Sequence, residues 1–279
     1  MKHNMKTNLL LLFFLTFSSL VIASCNQTGK YRPDKKITDV FKAKYPKASK
    51  IEWEQKNGYF VAEFHENGIE SEAWFDSSGK WSMTESNIKY SMLPQAIRDH
   101  FEKSIYNTWK KEDIDKIERA DSEPIYIIEV EKNEQETDLY YTANGKLVKS
   151  VNDLKKGEIS AQIPVSSMIL DQIRQKYPEA VIIDIELDKG KYEVDILDKG
   201  KAKEVVFNGN TWEATYWEVT KTEVPTVVMD AFRKSAYSKY RIDDIHYFET
   251  PTANYYHFEL EQGDIDTYLS IDPNGNIIK

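Results

Sequence analysis

The sequence predicts an α+β protein of two tandem domains, each a twisted antiparallel sheet with two helices on one face. Two observations carry this prediction. A helix-end motif recurs along the chain: Lys-Tyr-Pro-Lys-Ala at 44–48 returns as Lys-Tyr-Pro-Glu-Ala at 176–180. Each predicted helix is followed by short stretches in which apolar and polar residues alternate, which is the period of a strand with one packed face.

Two kinds of helix are predicted, and each occurs twice. The first kind has apolar residues at helical spacing and stops at a proline, as at Ile37, Phe41 and Pro46. The second kind begins with a proline in its first turn, at Leu93-Pro94 and at Val224-Pro225, where the missing N–H would be unpaired anyway. The chain is therefore interpreted as four units, each a helix followed by about four antiparallel strands.

The second strand of each unit shows the alternation most clearly. Its apolar residues share one face and are expected to pack under the helices, while the residues between them face the other way. The four apolar sets are Phe60, Ala62 and Phe64; Tyr126, Ile128 and Val130; Tyr192, Val194 and Ile196; and Tyr256, Phe258 and Leu260. Paired units give one domain at residues 33–152 and a second at 160–279, with a linker at 153–159.

The first 24 residues have the pattern of a lipoprotein signal peptide. Lys2 and Lys6 precede an apolar run, which ends in Ile22-Ala23-Ser24-Cys25. Cys25 resembles the acylated cysteine of a bacterial lipobox, and an ordinary signal peptide with an incidental cysteine is the alternative. The prediction is export and lipid attachment in the cell envelope, on the periplasmic side or at the surface, with a polar tether at 25–32.

The charge of the chain excludes some partners. The full sequence has a net charge of −9, and removing a signal peptide with two lysines and no acids gives −9 − 2 = −11. Nucleic acids and anionic headgroups both attract clusters of Lys and Arg, so this excess opposes both. We expect no nucleic acid partner and contact with the membrane through the lipid anchor only.

The order of these motifs resembles a known family. Tyr-Pro-x-Ala, an aromatic hairpin, Trp74-Phe75-Asp76-Ser77-Ser78-Gly79-Lys80-Trp81 and then Leu93-Pro94 resemble the PepSY-like family of β-lactamase-inhibitor-like bacterial secreted proteins. The resemblance implies paired αβ repeats with helices on one side of a sheet, secretion, and a binding or inhibitory role. The inhibitor itself contains disulfides, which a chain with one cysteine cannot form internally, so the resemblance implies the fold and not the target.

No constellation of residues predicts catalysis, a metal site or a cofactor. The chain has neither a Gly-x-Ser-x-Gly elbow nor a glycine-rich phosphate loop. His65 shares a strand face with Glu63, as His257 does with Glu259, but two ligands fall short of the three or four that zinc takes. The segment 272–276 imitates the start of an EF-hand loop and lacks its closing glutamate, so a hairpin turn is favoured.

The candidate binding surface is the sheet face opposite the helices. Four acids occupy matching positions in the second strands: Glu63, Glu129, Asp195 and Glu259. The same face carries Tyr59, Ile127, Tyr255 and His257. Acids among aromatic and apolar residues suit a binding surface, and a solvated face with protective charges is the alternative. Five tryptophans are expected mostly under the helices: Trp53, Trp74, Trp81, Trp212 and Trp217.

Three functions follow from this pattern. The first is a lipid-anchored, non-catalytic protein that binds and inhibits another protein or peptide, with an envelope or extracellular hydrolase as one class of target. The second is a structural lipoprotein, or one that holds a small ligand, a glycan or a cationic peptide. The third, an enzyme, is disfavoured because no nucleophile, metal or cofactor constellation is found.

Overall fold

The computed structural model describes residues 32–133, 135–153, 163–263 and 265–278. The predicted signal peptide, Cys25 and most of the predicted tether and linker lie outside these residues. Residues 31–279 form one compact unit. Within the described ranges, no helix combines the length and the apolar character needed to cross a bilayer.

The described residues contain four α-helices, which lie at the predicted places. Helix α1 ends at Lys44, two residues before Pro46, and α2 and α4 start directly after Pro94 and Pro225. The side chain of Ser166 caps α3 by accepting a hydrogen bond from the backbone N–H of Ile169. The helices are α1 (Lys35–Lys44), α2 (Gln95–Phe101), α3 (Ser167–Lys176) and α4 (Thr226–Lys234), with a 3-10 turn at Tyr90–Met92.

Sixteen strands in the described residues form two antiparallel sheets of eight. The first sheet contains β1 (Ser49–Lys56), β2 (Tyr59–Glu66), β3 (Ile69–Phe75), β4 (Trp81–Asn87), β5 (Lys110–Arg119), β6 (Ile125–Lys132), β7 (Gln135–Thr142) and β8 (Leu147–Asp153). The second contains β9 (Val181–Asp188), β10 (Lys191–Asp198), β11 (Lys201–Asn208), β12 (Thr211–Glu218), β13 (Arg241–Glu249), β14 (Asn254–Gln262), β15 (Ile265–Ile271) and β16 (Ile277–Ile278).

Every strand pairs with its neighbours in sequence, so each sheet is a continuous meander. Tight turns connect the strands, and side chains stabilise several of them. Asp76 Oδ1 accepts hydrogen bonds from the backbone N–H groups of Ser78 and Lys80, and Asp272 Oδ1 accepts from those of Asn274 and Asn276. The α+β class with two antiparallel sheets is confirmed. The segment 272–276 forms the hairpin turn that the sequence favours.

The helices pack on one face of each sheet. Ile37 and Phe41 of α1 contact Phe64, and Ile97 and Phe101 of α2 lie in one apolar cluster with the β6 and β7 side chains. Helices α3 and α4 form the corresponding clusters on the second sheet. All four alternating sets predicted in the second strands lie in these clusters, because period-two alternation turns them toward the helices.

The opposite face of each sheet, called here the helix-free face, is only partly free. Its centre on the first sheet is buried against the start of the second sheet. Ile183 is 1% exposed and packs in one cluster with apolar residues from β2 to β7. These partners are Val61, Trp74, Met83, Ile117, Ile125, Ile127 and Tyr140. The expectation that the whole helix-free face meets solvent or a partner is therefore wrong at this centre.

A lysine joins the two sheets beside this cluster. Lys149 Nζ of β8 lies 2.7 Å from Asp184 Oδ2, 2.7 Å from Asp195 Oδ2 and 3.3 Å from Glu186 Oε1. Asp184 is 1% exposed. Burial lowers the pKa of Lys149, but the charges and hydrogen bonds of Asp184 and Asp195 outweigh it and raise that pKa well above its usual value. The junction thus holds a strongly ionised lysine among three carboxylates.

Candidate functional site

Four glutamates lie side by side across the first four strands. In the strand register Glu52 pairs with Glu63, Glu63 with Glu72, and Glu72 with Glu85. Directly opposed residues share a face and have Cβ atoms about 5 Å apart, so like charges in such pairs destabilise a sheet. This acidic row, on the helix-free face, is therefore not explained by the stability of the sheet.

An open groove of about 800 Å³ lies over the acidic row. Acids dominate its lining, and Lys56 is the one cationic side chain among the described residues that line it. Trp74 forms part of its floor, and Ile163 contributes from the segment that precedes α3. This acidic groove is lined by Gln55, Lys56, Asn57, Glu63, Glu70, Ser71, Glu72, Trp74, Glu85, Asn87, Asp115 and Ile163.

Two carboxyl groups of the groove hold their protons unusually strongly. Burial raises the pKa of Glu85 to about 7, and the charge of Glu72 adds to the effect while Arg119 and Lys56 oppose it. Burial also raises the pKa of Asp115 to about 7, with further contributions from Glu85 and Asp113. A cation placed among these groups would favour their ionised forms, so the groove is electrostatically prepared for positive charge.

Lys56 compensates only part of this charge. Its Nζ lies 2.5 Å from Glu54 Oε1 and 3.3 Å from Glu72 Oε1. Burial lowers the pKa of Lys56, but its hydrogen bond to Glu54 and the charge of Glu72 together raise that pKa. Lys56 is thus one positive charge against the five acids that line the groove, and the charge of Arg119 also acts on Glu85.

The four acids that the sequence singled out lie in different surroundings. Glu63 lies in the acidic groove, as a member of the acidic row. Glu129 pairs with Asp138 on β7, and its pKa is raised to about 7 by burial first and then by the charge of Asp138. Asp195 is bound by Lys149 at the sheet junction, and Glu259 lies 3.6 Å from His246 Nδ1. The structure therefore does not bring the four together.

The other predicted face residues also divide. Tyr59 contacts Trp74 at 6.2 Å between ring centroids, beside the acidic groove. Ile127 is only 6% exposed in the inter-sheet cluster, so its placement on an open surface is corrected: the second sheet covers it.

On the second sheet, aromatic rings occupy the helix-free face. Tyr255 stacks on Phe248 at 5.0 Å, and His257 stacks on Tyr268 at 5.2 Å. Burial lowers the pKa of His257. Tyr255 and His257 thus belong to a separate aromatic row and not to the acidic groove.

Sequence reasoning missed Glu72, Glu85, Asp115 and the position of Trp74. These residues come from β3, β4 and β5, whereas the matching acids of the sequence pattern lie in the second strand of each unit. The alternation of Glu70, Glu72 and Trp74 in β3 does place the three on one face, and that signal could have found them. Their alignment with Glu63 and Glu85 depends on strand register, which hairpin geometry fixes.

In the described part of the chain, no group of three or more His, Cys, Asp or Glu side chains is arranged to hold a metal ion. His65 Nε2 lies 4.0 Å from Glu70 Oε2 rather than beside a nucleophile. An open, acidic groove with an aromatic floor is suited to hold a positively charged group.

Several solved structures from Bacteroides resemble parts of the chain. A BLIP-like protein from Bacteroides fragilis is 32% identical, covers 49% of this chain and 96% of its own, and has a TM-score of 0.44. A DUF2874 family protein from Bacteroides ovatus is 29% identical, with 44% and 89% covered and a TM-score of 0.41. A protein from Bacteroides eggerthii, provisionally described as periplasmic, is 26% identical, with 44% and 89% covered and a TM-score of 0.41.

No curated protein matches the sequence. A family of proteins, provisionally described as beta-lactamase-inhibitor-like and PepSY-like, matches residues 58–149, 151–202 and 196–279. These three segments cover well over half of the chain and include most of the acidic groove and the aromatic row. The chain therefore belongs to the PepSY-like, beta-lactamase-inhibitor-like family.

Proposed function

We propose that this protein is a non-catalytic binding protein of the cell envelope, and that its acidic groove receives a positively charged segment of a partner protein. One observation carries the proposal: Glu63, Glu72 and Glu85 are directly opposed across three strands, with Lys56 as the lining cation. Like charges so arranged cost stability, and a cationic partner would remove that cost. Membership of an inhibitor-like family supports a protein as the partner.

Inhibition of an envelope or extracellular hydrolase is the finer form of this proposal. It rests on the family description and on the groove, which could hold a basic surface loop of such an enzyme. Charge complementarity of this kind mainly speeds association and gives specificity, so binding should weaken steeply with salt.

Export and attachment through Cys25 complete the proposal. The support is the signal-like pattern of residues 1–24, which ends at that cysteine. Replacing Cys25 with alanine should move the protein from the membrane fraction to the soluble fraction. Unchanged fractionation, together with no incorporation of a labelled fatty acid into the native protein, would remove the lipid anchor from the proposal.

We further propose the domain division at 33–152 and 160–279, and the origin of the four helix-and-strand units by duplication of a pair. The support is the order of elements, in which each helix precedes strands that pair in sequence. Separate expression of the two halves tests the division. A half that fails to give a cooperative unfolding transition alone would argue against independent domains.

The binding experiment uses fluorescent decapeptides that are lysine- and arginine-rich, uncharged, or glutamate-rich. We expect the basic peptides to bind and the others not to bind. The double variant Glu72→Gln with Glu85→Gln should weaken the basic peptides at least about tenfold, a loss of about 1.4 kcal/mol. The matched control is Glu123→Gln with Glu179→Gln, two exposed acids outside the groove. Equal binding by both double variants would reject the groove as the site.

A second candidate function is the capture of a free small ligand, and the size of the groove favours it. A volume of about 800 Å³ lies within the range of small-molecule sites. The same assay separates the two functions by ligand length. A polyamine that binds as tightly as the decapeptides would favour the small ligand over a protein segment.

A further inference from the structure

Trp74 combines an aromatic surface with an unused hydrogen-bond donor. It is 5% exposed and lines the acidic groove. Its Nε1 is buried and has no hydrogen-bond partner among the described residues. An unsatisfied buried donor costs roughly 1–3 kcal/mol, so such a group needs an explanation. A ligand that brings an acceptor atom into the groove provides one.

The indole N–H groups of two other tryptophans are hydrogen-bonded to threonines. Trp81 Nε1 donates to Thr84 Oγ1 at 2.8 Å, and Trp212 Nε1 donates to Thr215 Oγ1 at 3.0 Å. Val206 occupies the position in the second sheet that corresponds to Trp74. Trp74 follows Glu72 by two residues, and Val206 follows Glu204, the counterpart of Glu72, by two residues. The fold therefore accepts an aliphatic residue there, and the indole of Trp74 is not required for it.

The donor and the acids are spaced for one ligand residue. Glu72 and Trp74 face the same way two residues apart, about 6.6 Å along the strand. Glu85, opposite Glu72, is one strand away, about 4.8 Å across the sheet. A planar guanidinium has five donors in a fixed fork and can bridge two neighbouring carboxylates, which a compact ammonium does less well. A long basic side chain can span the separation between such a contact and its own backbone carbonyl.

We propose that the acidic groove recognises an arginine residue of a peptide, with Trp74 Nε1 donating to a backbone carbonyl and Glu72 and Glu85 binding the guanidinium. This inference rests on the proposed function, because it names the ligand chemistry of the same groove. The face of the Trp74 ring adds a cation–π contribution, as Lys56 Nζ already lies 5.7 Å from its centroid.

Four small probes test the inference on the purified protein. They are acetyl-Ala-Arg-Ala-amide, its lysine and citrulline counterparts, and agmatine, which has the guanidinium without a backbone carbonyl. We expect the arginine peptide to bind about tenfold tighter than agmatine or the lysine peptide, and the citrulline peptide not to bind. In a nitrogen-15 NMR spectrum, the arginine peptide should shift the Trp74 indole N–H signal downfield, and agmatine should not.

Substitutions assign the two contacts. Trp74→Phe removes the donor and should abolish the advantage of the arginine peptide over agmatine, while Glu72→Gln should weaken both. If the Trp74→Phe variant does not fold, the indole N–H signal of Trp74 in the native protein still tests whether the indole contacts the peptide. Equal binding of arginine and lysine peptides, or an unmoved indole signal, would overturn the arginine site and leave the proposed function intact. Failure of the basic decapeptides as well would overturn the proposed function itself.

Discussion

The two sheets share a register and differ in what their helix-free faces carry. Glu63, Glu72 and Glu85 are aligned on the first sheet, where Asp195, Glu204 and Tyr216 are aligned on the second. In the second sheet the charges are compensated: Lys149 binds Asp195, and the hydroxyl of Tyr216 donates to Glu204. In the first sheet the charges of Arg119 and Lys56 act on Glu85, and burial together with the charge of Glu72 still raises its pKa to about 7.

Comparing the two sheets separates features that the fold requires from features that only the first sheet carries. Both halves keep a lysine over a tryptophan next to α1 or α3: Lys44 Nζ lies 3.6 Å from the Trp81 ring, and Lys176 Nζ lies 4.1 Å from the Trp212 ring. Features that recur in both halves are explained by packing. The row of directly opposed glutamates occurs in one half only, so the scaffold does not explain it, and this half is the one we propose to bind a partner.

The largest expected effect concerns two glycines at matching turns. A Cβ on Gly145 (φ +86°) would lie 2.5 Å from the backbone oxygen of Ala96 in α2. One on Gly275 (φ +89°) would lie 2.9 Å from the Val227 side chain and 3.1 Å from the Val227 backbone oxygen, a milder backbone contact. Side chains move more easily than helix backbone. Gly145→Ala should therefore lower the free energy of unfolding by about 3 kcal/mol and Gly275→Ala by about 2 kcal/mol.

Gly209→Ala is the control for backbone strain alone. Gly209 has φ +58° and no atom within 4 Å of the added Cβ, so we expect a loss of about 1 kcal/mol. Urea unfolding of the three variants measures the differences. Equal losses at the three positions would show that helix contact plays no part in either half.

A second expected effect, of intermediate size, concerns two buried threonines. Thr84 accepts a hydrogen bond from Trp81 and is bonded to the hydroxyl of Tyr45. Thr215 accepts from Trp212 and is also hydrogen-bonded to Tyr177, but the Tyr177 hydroxyl has a second partner because it donates to Glu249 Oε2 at 2.7 Å. Thr84→Val thus removes a hydrogen-bond partner from both Trp81 and Tyr45. Thr215→Val mainly affects Trp212, because Tyr177 keeps its bond to Glu249.

We expect Thr84→Val to lower the free energy of unfolding by about 2 kcal/mol and Thr215→Val by about 1 kcal/mol. Thr→Ser at each position keeps the hydroxyl and serves as the control. Chemical unfolding at one pH is sufficient for this comparison. A larger loss at Thr215 would mean that the Tyr177–Glu249 bond does not substitute for the threonine.

The smallest expected effect tests the raised pKa of Glu85. Glu85 has a folded-state pKa of about 7 against an ordinary value of 4.5. Between these values the folded protein holds a proton that the unfolded chain has lost, so stability falls as the pH rises. Glu85→Gln should match the native protein near pH 4.5 and exceed it by about 1 kcal/mol at pH 8.

Glu123→Gln, outside the groove, should change the free energy of unfolding by less than about 0.5 kcal/mol at either pH. Urea unfolding at pH 4.5 and pH 8 measures the stability of each variant relative to the native protein. If Glu85→Gln and the native protein instead differ in stability by the same amount at pH 4.5 and pH 8, that result would refute the raised pKa of Glu85 in the folded protein.

Sequence signals within a few residues predict the helices and strands, whereas the acidic row depends on the register between strands. Prolines at 46, 94 and 225 and the alternation in strands such as 60–64 are signals read within a few residues, so the helices and the packed faces were predictable. The burial of Ile127 under Ile183 depends on contact between the two sheets, which no local period encodes. The acidic row depends on which residues face each other across three hairpins, and the pattern of a single strand does not encode that pairing.

The strictly sequential pairing of strands has a consequence for how the chain acquires its shape. Each strand finds its partner in the adjacent hairpin or across one short helix, so few pairings require distant parts of the chain to meet. Loop-closure entropy is then low at every step, and chains of low contact order fold fast. A polypeptide that emerges from a membrane pore end first could add strands one after another, and it would expose a growing sheet edge only briefly.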